Sequence, residues 1–201
     1  MLFFKKAVTC ALALLAAPSL AALTASQMVT NIELLTSKSM ALQTPAKSIT
    51  LVNGPLIVIG LGPFPQIITG FTEIITITTT AIAQMQGSAV ITNPTDAKAI
   101  ADAFRKFVQV HQALLNILIG KAGLFTTVPF IGQPVSAVLR SLEAIVDTIA
   151  FMIIDGVEVA VSKASIQSDA TSLHGTIEVS IGTYSGIIGP IVKRHARDFS
   201  A

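Results

Sequence analysis

The side chains in this sequence best suited to chemistry are three histidines, one cysteine and a pair of carboxylates one helical turn apart. His111 lies among Phe104, Phe107, Val108 and Leu115, on or beside an apolar face. Such an imidazole reads first as a neutral ring satisfied inside a core, and second as a hydrogen-bond donor to the head of an apolar ligand. As a catalytic base it has no partner that the sequence can name. His174 sits beside another apolar stripe and reads as half-buried, while His195, within Lys193-Arg194-His195-Ala196-Arg197, belongs to a solvated tail. No His-Glu-x-x-His occurs, and no two histidines fall within a turn or two of each other, so no metal site is expected. Glu143 and Asp147 share a helix face and would suit hard cations or acid–base work, but they read as a solvated stripe with Arg140. Gly182-Thr183-Tyr184-Ser185-Gly186 misses the Gly-x-Ser-x-Gly spacing of a hydrolase elbow, and its small-x-x-x-small spacing suits close helix packing instead. Gly60-Leu61-Gly62-Pro63-Phe64-Pro65 begins like a dinucleotide loop but lacks the third glycine. No nucleophile–base pair can be assembled, so neither catalytic residues nor a cofactor are expected, and the chain reads as a non-enzyme.

The elements that position these groups are helical. The clearest spans residues 93 to 121. Asn93 is a natural cap, Pro94 suits the first helical position, and Asp96 meets free backbone N–H groups in the first turn. Ile100, Phe104, Phe107, Val108, Leu114, Leu115 and Leu118 recur at helical spacing, opposite Lys98, Asp102, Arg105, Gln109, Gln112 and Asn116. Lys121 followed by Gly123 predicts the stop. Four more helices are expected. The first spans about 26 to 43, with Met28, Ile32, Leu35 and Leu42 inward and Pro45 as its end. The second spans about 66 to 86, with Ile67, Phe71, Ile74, Thr78, Ile82 and Met85 inward, although its β-branched run ITITTT also suits a strand. The fourth spans about 135 to 165, kinked at Gly156, with Val138, Leu142, Ile145, Ile149 and Met152 inward and Arg140, Glu143, Asp147, Asp155 and Glu158 outward. The fifth spans about 168 to 188, with Leu173, Ile177, Ile181, Tyr184 and Ile188 inward. Residues 49 to 65 are uncharged but broken by glycine and proline, which argues against a membrane helix. The expected fold is all-α, a single antiparallel bundle of about five helices.

Composition narrows the function classes. Lys5 and Lys6, the apolar run from Ala7 to Ala17 and the small residues Ser19-Leu20-Ala21 have the form of a secretory signal. The expected division is a signal over 1 to 21, a bundle over 22 to 192 and a polar tail over 193 to 201. The single cysteine, Cys10, lies in that signal, so the mature chain has no disulfide or thiolate ligand. Removing Lys5 and Lys6 from the 13 basic residues leaves 11 against 11 acidic ones. A formally neutral domain has no general attraction for nucleic acid or anionic membrane. With 52% hydrophobic and only 12% charged residues, against a usual charged share of about 25%, the chain has either a large core or apolar surface left for a partner. No integral membrane span is expected, because the fourth helix carries charges throughout.

FRKFVQVHQALLNILIGKAGLF, followed by TTVPFIGQPVSAVLRSLEAIVDTIAF, resembles the fungal hydrophobic surface-binding protein A family, which includes the cell-wall galactomannoproteins. The resemblance covers about residues 27 to 190 and is strongest from Asp96 to Asp155. It implies a secreted, non-enzymatic five-helix bundle that adsorbs to hydrophobic surfaces and recruits a polyester-degrading esterase, or that encloses fatty acids between its helices. The Ser/Thr-rich stalk and hydrophobic tail of anchored members are missing, so the expected location is extracellular or loosely associated with the wall. For an apolar ligand, the expected site is the inward face of the third helix, with Phe104, Phe107, Val108, His111, Leu114 and Leu115. Phe71 and Ile74, Leu142 and Ile149, and Ile177 and Ile181 are expected as the remaining walls. The competing expectation is a structural wall protein whose apolar residues are all spent on a packed core.

Overall fold

Thr24 caps the first helix. Its hydroxyl accepts from the Gln27 backbone N–H while the Gln27 side chain accepts from the Thr24 N–H, a reciprocal capping box. In this computed structural model the described residues are 23–53, 56, 59–126 and 132–186. The expected signal and tail, His195, Ile188 and part of the connector after Gly123 lie outside them. Five long helices follow: α1 (Ala25–Lys47), α2 (Pro63–Met85), α3 (Pro94–Lys121), α4 (Gly132–Gly156) and α5 (Ala160–Tyr184), with a 3-10 segment at Ala122–Thr126. No strand occurs among the described residues, so the all-α bundle expectation holds.

The local chemistry explains where the helices start and stop. At α3 the Asn93 side chain accepts from the N–H groups of Thr95 (2.8 Å) and Asp96 (3.3 Å), and Lys121 lies in the last turn, as the sequence predicts. α1 departs from expectation by running two residues past Pro45. A proline in the last turn costs one helical hydrogen bond there but does not unwind the turn, and the Ser48 N–H still reaches the Thr44 carbonyl. α2 begins at Pro63, three residues earlier than expected, because prolines fit a first turn whose N–H groups have no helical partner. Gly62, with φ of +84°, makes the turn into it; a Cβ there would stand 3.0 Å from the Asn53 carbonyl oxygen. The ITITTT run is helix. The hydroxyls of Thr72, Thr76, Thr78, Thr79 and Thr80 each donate to the carbonyl four residues earlier, at 2.8 to 3.0 Å, which satisfies them within the helix.

The largest correction concerns the fourth and fifth helices. The expected helix over 135 to 165 is two elements, broken at residues 157 to 159. There the Ile91 N–H donates to the Gly156 carbonyl (2.8 Å) and the Glu158 N–H donates to the Ile91 carbonyl (3.1 Å). This bridge ties the α2–α3 connection to the α4–α5 turn and diverts backbone groups that a continuous helix would have paired internally. The inward face of α4 is also rotated from expectation. Val135, Leu139, Leu142, Val146, Ile149, Ala150 and Ile153 are buried, whereas Val138, Ile145 and Met152 are only partly so. Asp147 turns inward with that rotation and is buried, not part of a solvated stripe.

The helices pack in a ring. α1 lies between α2 and α3, α3 between α1 and α5, α5 between α3 and α4, and α4 closes on α2. Lys38 and Glu73 pair across α1 and α2 (2.9 Å), and Arg105 reaches Asp169 across α3 and α5 (3.2 Å). At the far end of α5 the Tyr184 hydroxyl donates to the Leu118 carbonyl (2.8 Å), one of the last-turn acceptors of α3 that has no helical donor. Burial pushes that hydroxyl's pKa up. Close approach fixes the same end: a Cβ on Gly132 would stand 2.6 Å from the Tyr184 carbonyl oxygen. Gly182, by contrast, has open space around it, so the small-x-x-x-small spacing there does not mark close packing. Among the described residues one helix, α2, is long and apolar enough to cross a membrane; here Ile67, Phe71, Ile74 and Thr78 face the ring interior.

Candidate functional site

Every expected wall residue is buried. Phe104, Phe107, Val108, His111, Leu114 and Leu115 of α3 meet Phe71 and Ile74 of α2, Leu142 and Ile149 of α4, and Ile177 and Ile181 of α5 in one continuous core. The ring arrangement gives that core its shape. Helices about 8–10 Å apart on an idealised pentagon stand about 7–8.5 Å from the common axis, while a helix with its side chains reaches about 5–6 Å. Helices alone therefore do not fill the axis. It must be occupied by long inward side chains or by an apolar guest, and Phe64, Phe71, Phe104 and Phe107 are among the largest fully buried side chains.

His111 is a polar member of this interior, with none of its surface exposed; Ser39 and Thr78 are buried as well. Its Nδ1 lies 2.8 Å from the Ser39 hydroxyl of α1, which also donates to the Leu35 carbonyl at 2.9 Å. Its ring meets Phe107 at 5.3 Å and Phe71, edge to face, at 6.0 Å. α2 is not a principal neighbour of α3 in the ring, so contact with Phe71 places the imidazole near the common axis. Nε2 is buried and has no hydrogen-bond partner. Where Ser39 donates to Leu35, Nδ1–H donates to Ser39 and Nε2 is an acceptor; where Ser39 donates to Nδ1, Nε2–H is a donor. Each tautomer leaves one unused hydrogen-bonding position in an apolar interior, which costs about 1–3 kcal/mol. Burial lowers the imidazole pKa from 6.5 to about 4, so the ring is neutral at physiological pH. Its partner would therefore be a neutral dipole, such as an undissociated acid, an ester or a hydroxyl.

His111 lies buried on the apolar face that its spacing predicts, and Ser39 was not among the expected residues. The signal was present: Met28, Ile32, Leu35 and Leu42 are spaced so that position 39 completes the buried stripe of α1, and a serine stands in it. His174 is more buried than its half-buried reading. Its Nδ1 lies 3.2 Å from the Asp147 Oδ1, across the α4–α5 contact.

The described residues thus form an all-α ring of five helices with the neutral His111 imidazole buried in its largely apolar interior. No family model matches the sequence, and no curated protein matches it. Solved structures do. The fold is similar to that of Afmp4p in complex with palmitic acid, with a TM-score of 0.62, 14% identity, and coverage of 80% of this chain and 99% of that one. It is also similar to ligand-binding domain 2 of the Penicillium marneffei MP1 protein, complexed with multiple arachidonic acids. There the TM-score is 0.64 at 15% identity, over 80% of this chain and 94% of that one. Ligand-binding domain 1 of the same protein, complexed with arachidonic acids, matches with a TM-score of 0.60 at 15% identity, over 78% and 98%. At such identity the likeness establishes the shared fold.

Proposed function

We propose that this protein is a secreted, non-enzymatic binding protein for fatty acids or closely related acyl lipids. The acyl chain lies along the axis of the helix ring and its head group bonds to His111 Nε2. The observation that carries this reading is the buried, unpartnered Nε2 in a largely apolar interior. The fatty acids named with the similar solved structures support the ligand class. Burial contributes about 0.8 kcal/mol per methylene, so roughly fifteen methylenes gain on the order of 12 kcal/mol before entropic costs. One hydrogen bond to the head adds about 1 kcal/mol net. Affinity comes from the walls, and the imidazole sets the position and orientation of the head.

The segment between α1 and α2 supports a second role, contact with a hydrophobic surface. Leu51, Val52, Ile59 and Leu61 are all exposed there, within eleven residues of chain, and none is charged. Such a tip suits adsorption to a lipid or polyester layer from which an acyl chain could be collected. The family resemblance read from the sequence further implies recruitment of a secreted esterase to such a layer. Native mass spectrometry of the secreted protein, purified without detergent, tests the enclosed-ligand reading. A population heavier than the polypeptide by the mass of one or more fatty acids is expected. A polypeptide that carries no lipid and takes up none when offered would leave only the packed-core wall protein or the surface-adsorbing form.

A further inference from the structure

The α4–α5 contact carries a second cluster, separate from the ring axis. Glu143 and Asp147 stand one turn apart on α4, and His174 and Glu178 one turn apart on α5, so the packing of the two helices brings three carboxyl groups to one imidazole. One ligand atom from each of Glu143, His174 and Glu178 lies within 4.8 Å of the others. His174 Nε2 and Glu178 Oε1 are 3.6 Å apart. That is too long for a good hydrogen bond, and it is close to the edge of a tetrahedron with metal–ligand bonds near 2.0–2.1 Å, which is about 3.3–3.4 Å. On the opposite side of the ring, Nδ1 lies 3.2 Å from the Oδ1 of the buried Asp147. A carboxylate on Nδ1 holds the tautomer whose Nε2 lone pair points away from it, toward the two glutamates.

From this geometry we infer a divalent transition-metal site of the zinc class, with His174 Nε2, Glu143 and Glu178 as ligands and Asp147 as the group that orients the imidazole. One nitrogen with two carboxylate oxygens suits zinc or manganese better than calcium or magnesium, which take all-oxygen shells. The glutamates are only partly buried, with the Glu178 side chain 26% exposed, so an ion has a path from solvent. Three protein ligands leave a fourth position for water. The site joins α4 to α5 just where the ring has an ordinary helix–helix seam, and an occupied site clamps that seam. Nothing in it depends on lipid in the ring axis, so the acyl-binding reading and the metal reading stand or fall separately.

The test is a calorimetric titration of metal-stripped, tag-free protein with Zn²⁺, together with thermal melts with and without the ion. Saturable binding of one Zn²⁺ per chain and a melting temperature raised by Zn²⁺ are expected. Glu178→Gln and Glu143→Gln should each lose this binding while keeping the helical circular dichroism of the parent. Asp147→Asn, which retains all three ligands, should weaken binding by about 10- to 100-fold. The wild-type titration decides the matter even if a variant folds poorly. Absence of saturable binding in the wild type, or binding untouched by both glutamate changes, overturns the site.

Discussion

The two buried histidines differ in almost everything except residue type. His111 faces one serine hydroxyl and two phenylalanine rings, and burial alone lowers its pKa to about 4. His174 faces a buried aspartate on one side and Glu178 on the other. The first can offer only a neutral hydrogen-bonding position. The second stands among groups that together can balance a cation. An imidazole takes its role from what its two nitrogens face, and those neighbours come from other helices. Spacing along one helix does not reveal them.

The largest expected effect separates the apolar environment of His111 from its polar contact. Phe107→Ala removes the ring packed against the imidazole and opens a hole in the core, at a cost of about 3–5 kcal/mol. Urea unfolding followed by circular dichroism measures it, and a loss below about 1 kcal/mol would mean that the interior is not packed as described. Acid comes next. The unfolded chain binds a proton at His111 near pH 6.5, whereas the folded chain resists protonation until about pH 4. Protons therefore favour the unfolded state between those values, so stability falls as pH drops from about 6.5 to 4 and levels below that. The shift corresponds to a loss on the order of 3 kcal/mol. His111→Leu should flatten that part of the stability profile, measured by urea midpoints across the range; an unchanged slope would contradict the dry, neutral setting.

Much of the framework was legible in the chain. α3 carries its own cap, its first-turn proline and its terminal lysine, so its bounds and inward face follow from local rules. The apolar stripes of α1, α2 and α5 did the same for the ring walls. What escaped was non-local. The break after Gly156 is made by Ile91, more than sixty residues earlier, and no signal near Val157 announces that partner. The inward turn of Asp147 depends on His174 across the seam, and a helical wheel that counts only apolar residues places the aspartate outside. The threonine run of α2 kept its helix because each hydroxyl finds a carbonyl one turn back, a local compensation that β-propensity omits.

The smallest effect bears most directly on the central claim, that the ring axis holds an acyl chain whose head meets His111 Nε2. Delipidated protein is titrated with palmitic acid, wild type beside His111→Leu. The account predicts saturable uptake by both proteins, with affinity lowered about fivefold in the variant, the equivalent of one hydrogen bond worth about 1 kcal/mol. Equal affinity would remove the imidazole from the site, and no saturable uptake by the wild type would contradict the account itself.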